Sequence, residues 1–158
     1  MAGSRFKMKF IADAMLGKLA KRLRLLGYDV LYDPSYDDNE IIRLSLEQDR
    51  VILTRDTGLV NRPTAKNHLF ITSDDPGEQV RQVIDAFGLT TGPEILTRCS
   101  VCNTLLIMVS KQMVRDRVPD HVYQTNNDFQ QCKQCDKIYW IGTHIKTTSN
   151  ATTKARHK

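Results

Sequence analysis

No run of about 18 apolar residues occurs in the chain, which excludes a membrane-spanning helix. The opening residues MAGSRFKMKF also lack the apolar core of a secretory signal, so a cytoplasmic, reducing location without a membrane partner is the expectation. The eight glycines form no glycine-rich phosphate loop, which sets aside loop-borne nucleotide binding. No internal repeat longer than a CxxC unit is visible. The four opening residues carry no pattern and read as a lead sequence.

What is present is ordinary for a globular protein: 158 residues, 41% hydrophobic and 26% charged. That length holds one well-buried domain and a small second module. The net charge of +5 is unevenly placed. Residues 1–95 carry 13 Lys or Arg against 14 Asp or Glu, a balance of −1, whereas residues 96–158 carry 10 against 4, a balance of +6. A basic C-terminal third suits a phosphate backbone, and equally suits solubility.

The stretch from Lys9 to Tyr32 reads as strand, helix, strand. Phe10-Ile11-Ala12 is a short apolar run. After Asp13, Leu16, Leu19, Leu23 and Leu26 recur at helical spacing until Gly27 stops the helix. Lys18, Lys21, Arg22 and Arg24 are expected on its polar side. Asp29–Tyr32 follows as a second strand. Asp37 and Glu40 have capping-box spacing before a helix bearing Ile41, Ile42 and Leu46. Val51–Leu53 and Leu69–Ile71 read as the third and fourth strands. Asp75, Pro76 and Glu78 open a last helix whose apolar face is Val80, Val83, Ile84 and Phe87, ended by Gly88. Alternating strands and helices imply a three-layer, parallel α/β domain, with a boundary near Gly92-Pro93. The expected division is 5–92 for this domain, 93–146 for a second module and 147–158 for a disordered basic tail.

Carboxylates recur where this pattern leaves its strands. Asp13 and Asp56 follow apolar strands, Asp74 follows the fourth, and Asp38 opens the second helix. In a parallel sheet such positions converge on one edge, where ligands bind. Gathered acids repel one another unless a cation neutralises them, and hard dications such as Mg²⁺ or Mn²⁺ prefer oxygen ligands. That chemistry suits in-line attack of water on a phosphodiester. Asp38 also suits a helix N-terminus electrostatically, and Asp75 reads as a cap alone. Arg55 is a candidate phosphate contact or a partner for an aspartate. A haloacid-dehalogenase-type phosphatase is disfavoured, since Asp13-Ala14-Met15 lacks a second aspartate two residues on.

Cys99-Ser-Val-Cys102 and Cys132-Lys-Gln-Cys135 are two CxxC pairs separated by 29 residues. Two such knuckles close a tetrahedral zinc site with no open position, so the zinc is expected to be structural. The spacer exceeds the common length of about 15 to 20 residues, and an intervening β-hairpin or loop can take up the excess. Disulfides are the competing use, and the reducing location argues against them.

Several strings together resemble one family. Asp13-Ala-Met-Leu-Gly-Lys-Leu-Ala, Leu23-Arg-Leu-Leu-Gly-Tyr-Asp29, Leu53-Thr-Arg-Asp56-Thr-Gly-Leu, Cys99-Ser-Val-Cys102-Asn, Arg117-Val-Pro and Tyr139-Trp140-Ile-Gly142-Thr-His144 are similar to the Mut-seven C-terminal ribonuclease domain. The resemblance implies a PIN-like nuclease domain followed by a Cys₄ zinc ribbon. It implies a metal-dependent ribonuclease whose acidic site is Asp13, Asp38 and Asp56, with Asp74 as a fourth. Lys21-Arg22 replaces the family's frequent Arg-Trp, and Ile141 and Ile145 replace Pro and an aromatic. No acid or cysteine is lost. The expected activity is hydrolysis of RNA with a Mg²⁺ or Mn²⁺ ion, with Lys18, Arg22, Arg55 and His144 as substrate contacts. Tyr139 and Trp140 serve either base stacking or the ribbon's own core. The alternative is a catalytically silent RNA-binding or ribosome-associated adaptor of the same architecture, and a protein inhibitor is left open.

Overall fold

The computed structural model describes residues 8–90 and 95–141. Four short strands, β1 (Lys9–Ala12), β2 (Asp29–Leu31), β3 (Val51–Thr54) and β4 (His68–Phe70), form a parallel sheet in the order β2-β1-β3-β4. Each is three or four residues long and dominated by apolar side chains, as strands covered on both faces must be.

Alternation along the strands sends neighbours to opposite layers. Phe10, Ala12, Val51 and Leu53 pack beneath α1 (Gly17–Leu25) and α4 (Pro76–Phe87), against Leu19, Leu23, Val80, Val83 and Ile84. Ile11 and Ile52 point the other way, onto Ile41, Ile42 and Leu44 of α2 (Asp38–Gln48) and Leu59 of α3 (Thr57–Val60). Helices on both sides of the sheet make the three-layer α/β arrangement expected of the sequence.

The capping residues act as their spacing predicts. Asp37 Oδ1 accepts from Glu40 N at 2.8 Å and Asp75 Oδ2 from Glu78 N at 2.9 Å, each satisfying an orphan donor of its helix. Gly88 ends α4 in the left-handed region at φ 57°. Three details differ. Ala14–Leu16 form a 3₁₀ turn capped by Asp13 before α1 begins, the fourth strand sits one residue earlier, and Leu46 is 57% exposed because Leu44 and Ser45 take the inner face of α2.

The C-terminal part carries a three-stranded antiparallel sheet, β5 (Ile107–Val109), β6 (Phe129–Gln131) and β7 (Ile138–Tyr139), in that order. A 3₁₀ turn at Lys111–Val114 and α5 (Asp120–Thr125) fill the β5–β6 connection, around a small core of Val114, Val118, Val122, Phe129 and Ile138. Among the described residues no helix is long and apolar enough to cross a membrane. The proposed boundary at Gly92-Pro93, His144 and the 147–158 tail lie outside the described residues.

Candidate functional site

The strand order changes direction between β1 and β3, because the chain steps from β1 outward to β2 and then returns to β1's other side. The crevice beyond the carboxyl ends of those two strands is where an open α/β sheet receives ligands. Asp13 and Asp56 both lie there. Asp13 N donates to Leu53 O at 3.1 Å, extending the β1–β3 ladder by one residue and fixing the aspartate at its end.

One side chain ties these acids together. Thr54 is fully buried; its Oγ1 donates to Asp13 Oδ2 and accepts from Asp56 N at 2.9 Å. Asp13 Oδ1 accepts from Met15 N at 2.9 Å, and Asp56 Oδ1 from Gly58 N at 2.8 Å. Both carboxylates thus cap short helical turns, with Asp13 only 6% exposed and Asp56 open to solvent. The sequence pattern alone does not single out Thr54. Its signal is a hydroxyl closing an apolar strand two residues before an acid.

The remaining predicted residues are spread around that edge. Asp38 is half-buried in the first turn of α2, and Asp74 is exposed in the β4–α4 connection. Neither joins Asp13 and Asp56 in a set as tight as that formed by the thiols, the one group of three or more potential ligands found among the described residues. Arg55 donates to Ile71 O at 3.2 Å, which ties the loop after β3 to the end of β4. Thr54 thus joins the Asp13 carboxylate to the backbone of Asp56, and an ion such as Mg²⁺, which keeps several waters, commonly uses only one or two protein carboxylates.

The four cysteines meet. Their sulfurs all lie within 4.8 Å of one another, and Cys102 Sγ and Cys132 Sγ are 3.4 Å apart. Tetrahedral Zn–S bonds of about 2.3 Å require sulfurs about 3.8 Å apart, so the set fits zinc, while 3.4 Å is far beyond a disulfide bond. The two knuckles share one backbone design. Asn103 N donates to Cys99 O at 2.9 Å and Asp136 N to Cys132 O at 2.7 Å. Asn103 and Asp136 take left-handed φ values of 71° and 59°, which Asn and Asp tolerate best after glycine.

The thiols cannot ionise independently. Burial opposes ionisation of Cys102, but hydrogen bonds from Thr104 and from neighbouring thiols outweigh it and bring its pKa down to about 6. The hydrogen bond to Cys102 pushes Cys135 up to about 12, and burial pushes Cys132 up. A dication removes that conflict by stabilising every thiolate together. Tyr139, buried beside them, lies 3.1 Å from Cys99 Sγ and accepts from Ser100 N at 3.0 Å.

Arg24 overturns one expectation. It does not sit on the polar side of α1 but is 3% exposed, and its guanidinium donates to Val30 O at 2.9 Å, Ser100 O at 3.0 Å and Val101 O at 3.1 Å. It therefore clamps α1 and β2 to the first cysteine knuckle. Lys18, Lys21 and Arg22 do face outward, and with Lys137 and Trp140 they line a cleft of about 550 Å³ between α1 and the cysteine-bearing sheet.

The chain is a doubly wound parallel α/β unit with acids at its switch point, followed by a module whose four cysteines could hold a metal ion. The match to the Mut7-C RNAse domain covers residues 8–152, so the chain belongs to that family. Neither a curated protein nor a solved structure matches the chain.

Proposed function

We propose that the protein is a Mg²⁺- or Mn²⁺-dependent ribonuclease that hydrolyses RNA phosphodiester bonds at the carboxyl edge of its parallel sheet, with RNA as its partner. The observation that carries this reading is the Asp13–Thr54–Asp56 arrangement at the β1/β3 switch point in a chain of an RNase-domain family. Asp13 and Asp56 are the residues to hold the ion, with Asp38 and Asp74 supplying further negative charge from the flanking loops. Bound there, the dication would supply the positive charge that a phosphodiester undergoing displacement demands.

The chain's own contributions follow from placement. Thr54 fixes the rotamer of Asp13 and the backbone of Asp56, so the acids reach the ion without reorganising. Lys18 and Arg22 attract the phosphates of the strand, while Arg55 holds the β3–β4 edge in shape and stands close to it. His144 follows the last described strand and is a candidate phosphate contact. Cys99, Cys102, Cys132 and Cys135 would hold a structural zinc, which would keep the basic C-terminal part folded beside α1, where its charge acts on the RNA.

The test is cleavage of labelled single-stranded and structured RNAs by the zinc-loaded protein with Mn²⁺, beside the Asp13→Asn, Asp56→Asn double variant. Cleavage is expected with added metal, and loss of at least about 100-fold in the variant, equivalent to roughly 3 kcal/mol of barrier. Retained cleavage in the double variant, or firm binding with no cleavage under any divalent ion, overturns the proposal.

A further inference from the structure

On α1, Lys18, Lys21, Arg22 and Leu25 are spaced i, i+3, i+4 and i+7, one stripe of the helix. The opposite stripe, Leu16, Leu19, Ala20 and Leu23, is buried in the core. The cationic stripe is not turned to open solvent alone. It forms one wall of the 550 Å³ cleft whose other wall is the last strand of the cysteine-bearing sheet, Ile138 and Tyr139, with its flanking residues Lys137 and Trp140.

Three properties select the occupant. No acidic residue lines the cleft, and Lys18, Lys21 and Arg22 have no carboxylate partner among the described residues, so their charge is available to an anion. Trp140 is half-buried at the margin of the ribbon's core while also lining the cleft, which presents an aromatic surface beside the cations. The volume lies within the range of about 300–1,000 Å³ that encloses a molecule the size of a nucleotide, and is too small for a duplex. Cations that track a backbone beside an aromatic platform are the physical features of single-strand recognition.

The cleft also leads toward the acids. Gly17 starts α1 directly after the turn capped by Asp13, and Lys18 stands at that end; Leu25, whose carbonyl accepts from Leu96 N at 2.9 Å, stands at the ribbon end. From Lys18 to Leu25 the helix rises about 10 Å, room for one or two nucleotides. We infer that this cleft is a single-strand binding groove, in which Trp140 stacks on an unpaired base while Lys18, Lys21, Arg22 and Lys137 hold the adjoining phosphates. This rests on the ribonuclease reading for its substrate. It adds that the enzyme selects unpaired RNA and takes hold of it away from the acids.

The chain's one tryptophan is Trp140, so its emission reports the groove directly. Zinc-loaded protein carrying Asp13→Asn is titrated with an unlabelled single-stranded RNA octamer, with the same octamer in a duplex, and with polyglutamate. The single strand is expected to quench Trp140 and to bind at least about tenfold more tightly than the duplex. Trp140→Ala, followed by anisotropy of a labelled octamer, is expected to weaken binding about 5- to 160-fold, the range for loss of one stacked base, and Trp140→Phe to recover most of it. The Lys18→Ala, Lys21→Ala, Arg22→Ala triple variant is expected to flatten the dependence of affinity on salt by roughly 0.7 for each phosphate no longer neutralised.

Equal binding of duplex and single strand, unchanged Trp140 emission, or competition by polyglutamate as strong as by RNA overturns the groove. So does a Trp140→Ala variant that keeps its zinc and its full affinity. Binding with quenching but no cleavage by the unmutated protein leaves the groove standing and removes the ribonuclease; cleavage indifferent to every groove variant does the reverse.

Discussion

Arg24, on α1, donates a hydrogen bond of 3.0 Å to the carbonyl of Ser100, inside the first cysteine knuckle. The same guanidinium reaches Val101 O and Val30 O, so a single buried cation joins helix, strand and metal module. Burial lowers its pKa, and the nearby Cys102 and Cys99 work in the opposite direction. A zinc held by four thiolates has a net charge of −2, which makes a neighbouring cation favourable. Arg24→Ala is expected to leave three carbonyls short of a donor and to cost about 2–4 kcal/mol, lowering the melting temperature of the zinc-loaded protein by roughly 5–15 °C. Arg24→Lys is expected to recover little, because an ammonium lacks the planar fork that spans three acceptors. Full stability of either variant by thermal unfolding would contradict this account.

Zinc removal is expected to act on the C-terminal part first. The core there is small, and Cys99 and Cys132 are themselves buried among Leu25, Leu96 and Tyr139. Metal held by these cysteines would therefore supply much of that part's folding free energy. Metal analysis of the unmutated protein is expected to find one zinc per chain, and Cys132→Ser to abolish it and to expose the β5–β6 connection to trypsin at Arg115 and Arg117. Val80, Val83 and Ile84 against the sheet make no use of the metal, so far-ultraviolet dichroism should keep most of the helical signal.

The sequence carried the architecture because each strand and helix states its own period. Phe10-Ile11-Ala12 and Val51-Ile52-Leu53 are apolar on both faces, and Asp37 and Asp75 announce helix starts by local chemistry that the structure repeats bond for bond. The cysteines were legible for the same reason, since ligand spacing within a knuckle is local. Arg24 was not. Its position beside Lys21 and Arg22 reads as a solvated face, and only the distant knuckle carbonyls at Ser100 and Val101 make burial favourable. Thr54 was hidden likewise, because a threonine at a strand end acquires meaning only when another strand's aspartate lies against it.

Asp29 is expected to make stability fall in acid. Burial raises its pKa, but hydrogen bonds from Arg50 and Asn103 and attraction to Arg50 and Arg98 outweigh that, so the folded value lies below the ordinary 3.8. Arg50 Nη1 is 2.8 Å and Asn103 Nδ2 2.7 Å from Asp29 Oδ1, which ties β2 to the residue that follows the first knuckle. A depressed carboxyl contributes stability that is complete above the unfolded value and is lost as pH falls through the folded one. Asp29's share of the stability, read in denaturant unfolding as the difference between the unmutated protein and Asp29→Asn, should therefore be lost only below about pH 4. Asp29→Asn is expected to cost about 1–3 kcal/mol at neutral pH and to flatten that acid limb.

Thr54 should matter to catalysis through the two acids it joins. Its hydroxyl holds Asp13 Oδ2 and the Asp56 backbone at once, and it is fully buried, so water cannot replace it. Thr54→Val keeps the shape and removes both bonds. On the ribonuclease reading, kcat is expected to fall about 10- to 100-fold, equivalent to roughly 1.4–2.7 kcal/mol, with KM for RNA little changed because the basic cleft is untouched. Thr54→Ser restores the hydroxyl and should recover most of the rate, while losing some packing. A merely structural threonine predicts the other pattern: both variants destabilised, and activity per folded molecule preserved in Thr54→Val. Raising the Mn²⁺ concentration distinguishes the two further, since misaligned carboxylates weaken metal affinity and should shift the half-activating concentration upward in Thr54→Val but not in Thr54→Ser.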